Sequence, residues 1–187
     1  MHDTDSDETL MLRVAQGDHA ACQELVERHL GRILAFASRT IGDRAEAEDI
    51  AQEVFTRLWI HAKGWRPGPG RVTTWLHRIA LNLCLDYRAR MRQERLDAVP
   101  EPIDPRKDAV TLMQERDVQA HVTAALQALP DSQQAAVVLC HYQGFRNAEA
   151  AEVLGVSVEA VESLLARARR ALRDRLRSIA PELLEGK

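Results

Sequence analysis

The chain has 187 residues, 45% of them apolar and 28% charged, and 25 basic against 28 acidic side chains leave a formal net charge of −3. That implies a globular protein of one or two small domains, and 4% aromatics, nine glycines and seven prolines exclude collagen-like, proline-rich and low-complexity classes. No window approaches 18 consecutive apolar residues, and the acidic start (Asp3, Asp5, Asp7, Glu8) is the opposite of a signal or transit peptide, so a cytoplasmic place is expected.

As a sum, the charge argues against a nucleic-acid partner. Along the chain, however, the charges are sorted. Arg88, Arg90, Arg92 and Arg95 form one basic cluster, and Arg167, Arg169, Arg170, Arg173, Arg175 and Arg177 form another. The acidic residues collect at the N-terminus, in 46–53 and around 97–108.

In chain order, Leu25, Val26, His29, Leu30, Ile33 and Leu34 recur at helical spacing and predict a helix over 20–40 that stops near Gly42. Asp43 with Glu46 has the spacing of a helix cap, and Ile50, Ala51, Val54, Phe55, Leu58 and Trp59 give the next helix an apolar stripe. Residues 66–70, Arg-Pro-Gly-Pro-Gly, must be a loop. Thr73 or Thr74 is the expected cap of a following helix that buries Trp75, Ile79, Ala80, Leu83 and Tyr87. Pro100, Pro102 and Pro105 cannot sit inside a helix and mark a boundary. Helices are then expected at 108–128, 131–142, 147–154 and 158–178. The fold class is all-α: two small helical domains, 1–96 and 114–187, joined by an extended linker, 97–113. Cys22, Cys84 and Cys140 match no paired pattern and are read as reduced thiols on apolar helix faces. His19 to Cys22 and Cys140 with His141 lack the four-ligand spacing of a metal site, so neither metal nor cofactor is expected.

Three constellations could carry function. Ala151, Gly155 and Val161 fall where a helix-turn-helix needs a small residue, a positive φ and a packing apolar residue. Its second helix would turn Ser157, Glu159, Glu162, Ser163 and Arg167 toward a major groove, with Arg167, Arg169, Arg170 and Arg173 supplying the attraction to phosphate. Asp49, Gln52 and Glu53 share one helix face opposite the apolar stripe. Without a pocket or a histidine partner they suggest a solvated face or a docking face for a basic partner, not acid–base catalysis. Arg78, Asn82 and Asp86 follow the Pro-Gly loop at intervals of four. Asn can read a base edge, and the arginines beyond can hold the backbone of melted DNA; an ordinary amphipathic helix with a basic end fits as well.

In this order, the segments resemble the extracytoplasmic-function group of bacterial sigma-70 factors. The resemblance rests on residues 49–55 (Asp-Ile-Ala-Gln-Glu-Val-Phe), 74–82 (Thr-Trp-Leu-His-Arg-Ile-Ala-Leu-Asn), Leu129-Pro130 with Gln133, and 144–169. It implies a non-enzymatic subunit that directs core RNA polymerase to promoter DNA and is held inactive by an anti-sigma factor. By resemblance, Asp49, Gln52 and Glu53 dock on the polymerase. Trp75, Arg78, Asn82, Arg88 and Arg92 serve the −10 element, and Ser157, Ser163, Arg167, Arg169 and Arg170 the −35 element. The linker would thread through the polymerase. Glu162 and Leu164 depart from the basic pattern usual there, and Glu149-Ala150-Ala151 replaces the usual Glu-Ile-Ala, which opens the question of −35 specificity. Two alternatives remain: a mimic that sequesters an anti-sigma factor, and a stand-alone helix-turn-helix regulator.

Overall fold

Ser6 opens the first helix of the chain, α1 (Asp7–Ala15), by accepting the Thr9 N–H at 3.2 Å, with Asp7 and Glu8 favourably placed in the first turn. The computed structural model describes residues 5–66, 71–97 and 114–179. The acidic N-terminal segment is helical from Asp7 onward, whereas the sequence reading placed its first helix at 20–40. The reason is the apolar triplet Leu10, Met11 and Val14, which is buried, together with Asp7, which pairs with Arg28 at 2.9 Å and His29 at 2.7 Å on the next helix.

That helix, α2 (His19–Ile41), is capped by Asp18 through the Ala20 and Ala21 amides and ends at Gly42, whose φ of 79° closes the turn. Asp43 then caps α3 (Arg44–His61) through the Ala45 and Glu46 amides, at the predicted place. A 3-10 turn, Ala62–Gly64, ends it. The next helix, α4 (Val72–Asp97), begins earlier than expected, so Thr73 and Thr74 lie in its first turn and not at the cap. Its buried face is also rotated. Val72, Leu76, His77, Ala80, Leu81 and Cys84 are buried, whereas Trp75, Ile79, Leu83 and Tyr87 are half-buried. The physical cause is that α4 is covered from two sides, by α2 and α3 and by a helix of the second unit.

The second unit comprises α5 (Gln114–Gln127), α6 (Asp131–Val137) continuing into a π-helical turn (Val138–Tyr142), α7 (Asn147–Leu154) and α8 (Val158–Ile179). The predicted helix over 108–128 is described only from residue 114. The Pro-Gly loop at 67–70 and the linker at 98–113 lie outside the described residues. Among the described residues there is no strand, and no helix is long and apolar enough to cross a membrane.

The two units share one apolar core. His77 on α4 stands edge-on between Phe36 of α2, at 5.4 Å between ring centres, and Phe145 of the second unit, at 4.7 Å. Its Nδ1 donates to the Thr73 carbonyl at 2.8 Å, and burial pushes its pKa down to about 4 against the opposing pull of Thr73 and Gln143. Cys84, buried on the same helix, is free, and burial pushes its thiol up to about 12. Cys22 and Cys140 are half-buried and also unpaired.

Two predictions follow from this packing. Leu10→Ala removes a fully buried side chain that pins α1 and should cost about 2–5 kcal/mol, read by urea denaturation; a loss within experimental error would mean that α1 is not part of the cooperative unit. For His77, the packed state binds fewer protons than the open one between its lowered pKa and its ordinary one. Stability should therefore be fully present above pH 6.5 and fall as the pH drops from 6.5 toward 4, by roughly 3 kcal/mol. His77→Leu should flatten that part of the pH–stability curve.

Candidate nucleic-acid interface

The helix-turn-helix forms as its residue types require. Ala151 is buried at the crossing of α7 and α8, Gly155 takes φ 67°, and Val161 is fully buried between the helices. A Cβ on Gly155 would also lie 3.7 Å from the Arg78 guanidinium, so the first unit approaches this turn closely. Val161, Leu165 and Ala168 line the buried face of α8. Its outer face exposes Glu159, Glu162, Ser163, Arg167, Arg169 and Arg170. Arg167 Nε donates to the Ser163 carbonyl one turn back at 3.3 Å.

Ser157 has local work to do. Its hydroxyl accepts the Ala160 N–H at 3.2 Å and so caps α8. The Glu159 carboxyl is held below its usual range by its own backbone N–H and by the Ser157 hydroxyl. Helix α8 thus presents two carboxylates in its first two turns and its arginines farther along.

On α4, Arg78 and Asn82 are exposed one turn apart and Trp75 is half-buried one turn earlier, so the three align along the outer side of the helix. Trp75, Arg78 and Trp65, from beside the Pro-Gly loop, line a cleft of about 900 Å³ whose opposite wall is Ala151, Gly155 and Ser157 of the second unit. The structure therefore brings part of both predicted DNA-reading sets to one cleft. Asn82 does not line it.

Arg88 and Arg92 lie elsewhere. The Arg88 side chain is 17% exposed and sits 3.0 Å from Asp131, while Arg92 reaches the other oxygen of the same carboxylate at 2.9 Å. Arg88 further donates to the Thr40 and Gln127 carbonyls at 3.2 Å and to the Gln134 side chain. In this arrangement Arg88 is largely enclosed by its partners, whereas Arg92 is 60% exposed and holds Asp131 through one terminal nitrogen only.

Asp49 and Gln52 are exposed on α3 and Glu53 is half-buried, paired with Arg57 at 2.7 Å. They border two different hollows. Asp49 and Glu53 face Asp86, Tyr87 and Arg90 of α4 across a hollow of about 530 Å³. Gln52 belongs to an apolar groove of about 670 Å³ between α2 and α3, with Val26, Leu30, Leu34, Phe55 and Trp59. Leu30, one of the apolar residues whose spacing predicts α2, is 40% exposed. A stripe wider than the core needs was the available signal for this groove. Asp131, Gln134 and Gln143 were not singled out, and Phe145 entered only as part of the stretch 144–169, because their partners lie far away in the sequence. Among the described residues, no group of three or more His, Cys, Asp or Glu side chains could hold a metal ion.

The comparisons agree with this arrangement. Residues 25–94 match the description Sigma-70 region 2, and residues 120–172 match Sigma-70 region 4. The chain is 37% identical to the RNA polymerase sigma factor NccH of Alcaligenes xylosoxydans over 95% of its own length and 98% of that protein. It is 38% identical to the ECF RNA polymerase sigma factor SigE of Mycolicibacterium smegmatis over 87% of its length, spanning 65% of that relative. Among solved structures, CnrH in complex with the cytosolic domain of CnrY is similar at 32% identity and a TM-score of 0.69, over 93% of this chain and 99% of that one. With both regions matched in order on a two-unit helical fold, the chain belongs to the sigma-70 family, in its extracytoplasmic-function group.

Proposed function

We propose that this chain is the promoter-specificity subunit of a bacterial RNA polymerase, carrying out no chemistry of its own and acting in the cytoplasm. Residues 1–96 form the polymerase-binding and −10 unit, 97–113 the linker, and 114–187 the −35 unit. The observation that carries the reading is the pair of exposed polar sets on rigid helices, Arg78 with Asn82 on α4 and Ser163 with Arg167, Arg169 and Arg170 on α8. Side chains held on helices can meet base edges without first paying the entropy of ordering a loop.

Each role follows from side-chain chemistry. Asn82 offers a donor and an acceptor to an unstacked base, and Trp75 a flat face to stack on. Arg78, Arg88 and Arg92 supply positive charge to the strand backbone, and Arg169 and Arg170 do so on the duplex. Ser157 and Ser163 sit where α8 would enter the major groove. Asp49, Gln52 and Glu53 present an acidic and amide face to a basic partner surface of core polymerase. An anti-sigma factor that masks these faces belongs to the same reading, supported by the complex of CnrH with the cytosolic domain of CnrY. A stand-alone regulator would leave the exposed α3 face without a role, and a sequestering mimic would have no use for Asn82.

The decisive experiment adds purified chain to core polymerase and maps run-off transcripts on genomic DNA. Discrete 5′ ends are expected, and failure to bind core polymerase would sink the proposal. Asn82→Ala should reduce open-complex formation about 10- to 100-fold with core binding intact. Glu53→Lys should do the reverse, weakening core binding first; equal losses in both assays for both variants would contradict this division. For Arg169→Ala, holoenzyme binding measured against salt should lose about one unit of slope on a log–log plot.

A further inference from the structure

We propose that the pocket formed by Arg32, Arg71 and Arg146 is a binding site for a small phosphoryl anion, a free phosphate or diphosphate group.

Three guanidinium groups reach this pocket from three separate stretches of chain. Arg32 comes from the middle of α2, Arg71 immediately precedes α4, and Arg146 immediately precedes α7. One carboxylate, Glu149, lines the pocket with them, so the lining carries an excess of positive charge. That carboxylate does not hold the arginines closely. It stands 3.9 Å from Arg71 and 3.7 Å from Arg146, beyond hydrogen-bond reach, and one of its oxygens accepts the Arg146 backbone N–H at 2.9 Å. Arg32 has no carboxylate partner among the described residues. A terminal nitrogen of its side chain donates to the Gln143 carbonyl at 2.8 Å, and its guanidinium lies 5.7 Å from the centre of the Phe145 ring. These contacts fix its direction and leave most of its N–H donors without a protein acceptor. An arginine cannot shed its charge, so that charge is met by solvent or by an anion.

The remaining lining suits phosphate. Thr73 and Thr74 add two hydroxyl donors from the first turn of α4, where the leading amides have no acceptor within the helix. Planar guanidinium forks with hydroxyl donors match phosphoryl oxygens in number and geometry. The pocket holds about 270 Å³, below the roughly 300–1,000 Å³ that encloses a drug-sized ligand, so it takes a compact group. It shares Arg71 and Thr74 with the neighbouring cleft of Trp65 and Trp75 and differs from it in holding Arg32, Arg146 and the Phe145 ring. Its walls come from both helical units and leave room for a group, not for a strand passing through. Because Arg32 and Arg71 belong to the first unit and Arg146 to the second, a bound anion stabilises the arrangement that binds it, and the stability of the chain becomes a function of free phosphate.

The test titrates the full chain with sodium pyrophosphate by calorimetry, in chloride buffer of fixed ionic strength without divalent cations. Saturable binding is expected at about one site per chain, with a Kd below about 1 mM and a rise in Tm. Arg32→Gln and Arg146→Gln should each weaken binding about tenfold, whereas Glu149→Gln should strengthen it severalfold by removing the carboxylate of the pocket. Arg146 is 76% exposed, so its variant keeps the test valid should Arg32→Gln misfold. Absence of saturable binding overturns the proposal. Binding of wild-type strength in a folded Arg146→Gln does so too, since it would mean an adventitious ion only, held by arginines elsewhere on the surface. A fluorescent single-stranded oligonucleotide separates the sources of phosphate. Pyrophosphate that leaves oligonucleotide binding unchanged supports a site for a free anion, whereas displacement that is lost in Arg146→Gln assigns the pocket to a nucleic-acid backbone and overturns the proposal.

Discussion

Phe36, His77 and Phe145 meet ring to ring, and most of the tertiary arrangement depends on that contact. Phe36 and His77 join α2 to α4 within the first unit, and Phe145 carries the same apolar core into the second. A histidine in this place has to be neutral, because charging it among aromatic rings would cost several kcal/mol in desolvation. The neutral ring behaves as an aromatic filler with one hydrogen bond, to Thr73. The stack therefore holds the units together by dispersion and apolar burial, while the polar contacts around Arg88 set their register.

This division of labour explains the surface that results. Burial of α4 on two sides leaves only a narrow strip of it exposed, and Arg78 and Asn82 lie on that strip. Burial of α8 through Val161, Leu165 and Ala168 likewise forces its polar residues outward. Neither set required a loop to position it. The apolar groove between α2 and α3 is a different kind of surface, with large side chains open at its mouth, and it suits a protein partner better than a nucleic acid.

The charge distribution has the same logic. A net charge of −3 says little about affinity for DNA when arginines and carboxylates occupy separate surfaces. What counts is whether an arginine faces solvent or a carboxylate. Arg169 and Arg170 face solvent, whereas Arg88 and Arg92 face Asp131. Glu159 and Glu162 stand at the start of α8, where their charges are favourable to the helix terminus and would repel a backbone phosphate.

Much of this was legible in the residues. The all-α class, the Asp43 cap, the Gly42 stop and the helix-turn-helix with Ala151, Gly155 and Val161 all follow from short-range rules of spacing, capping and φ. Those rules act within a turn or two of chain, so a sequence carries them directly. They failed where an unremarked Ser6 cap joined an apolar triplet that needed α2 to bury it, and where α4 was expected to bury one face and instead buries two. Through their chemistry and order, the sequence alone also singled out the side chains proposed to touch DNA or polymerase. Only the tertiary structure decided which of them are free, since Arg88 and Asp131 are brought together by the packing of Phe145 on His77 and by no local signal in either segment.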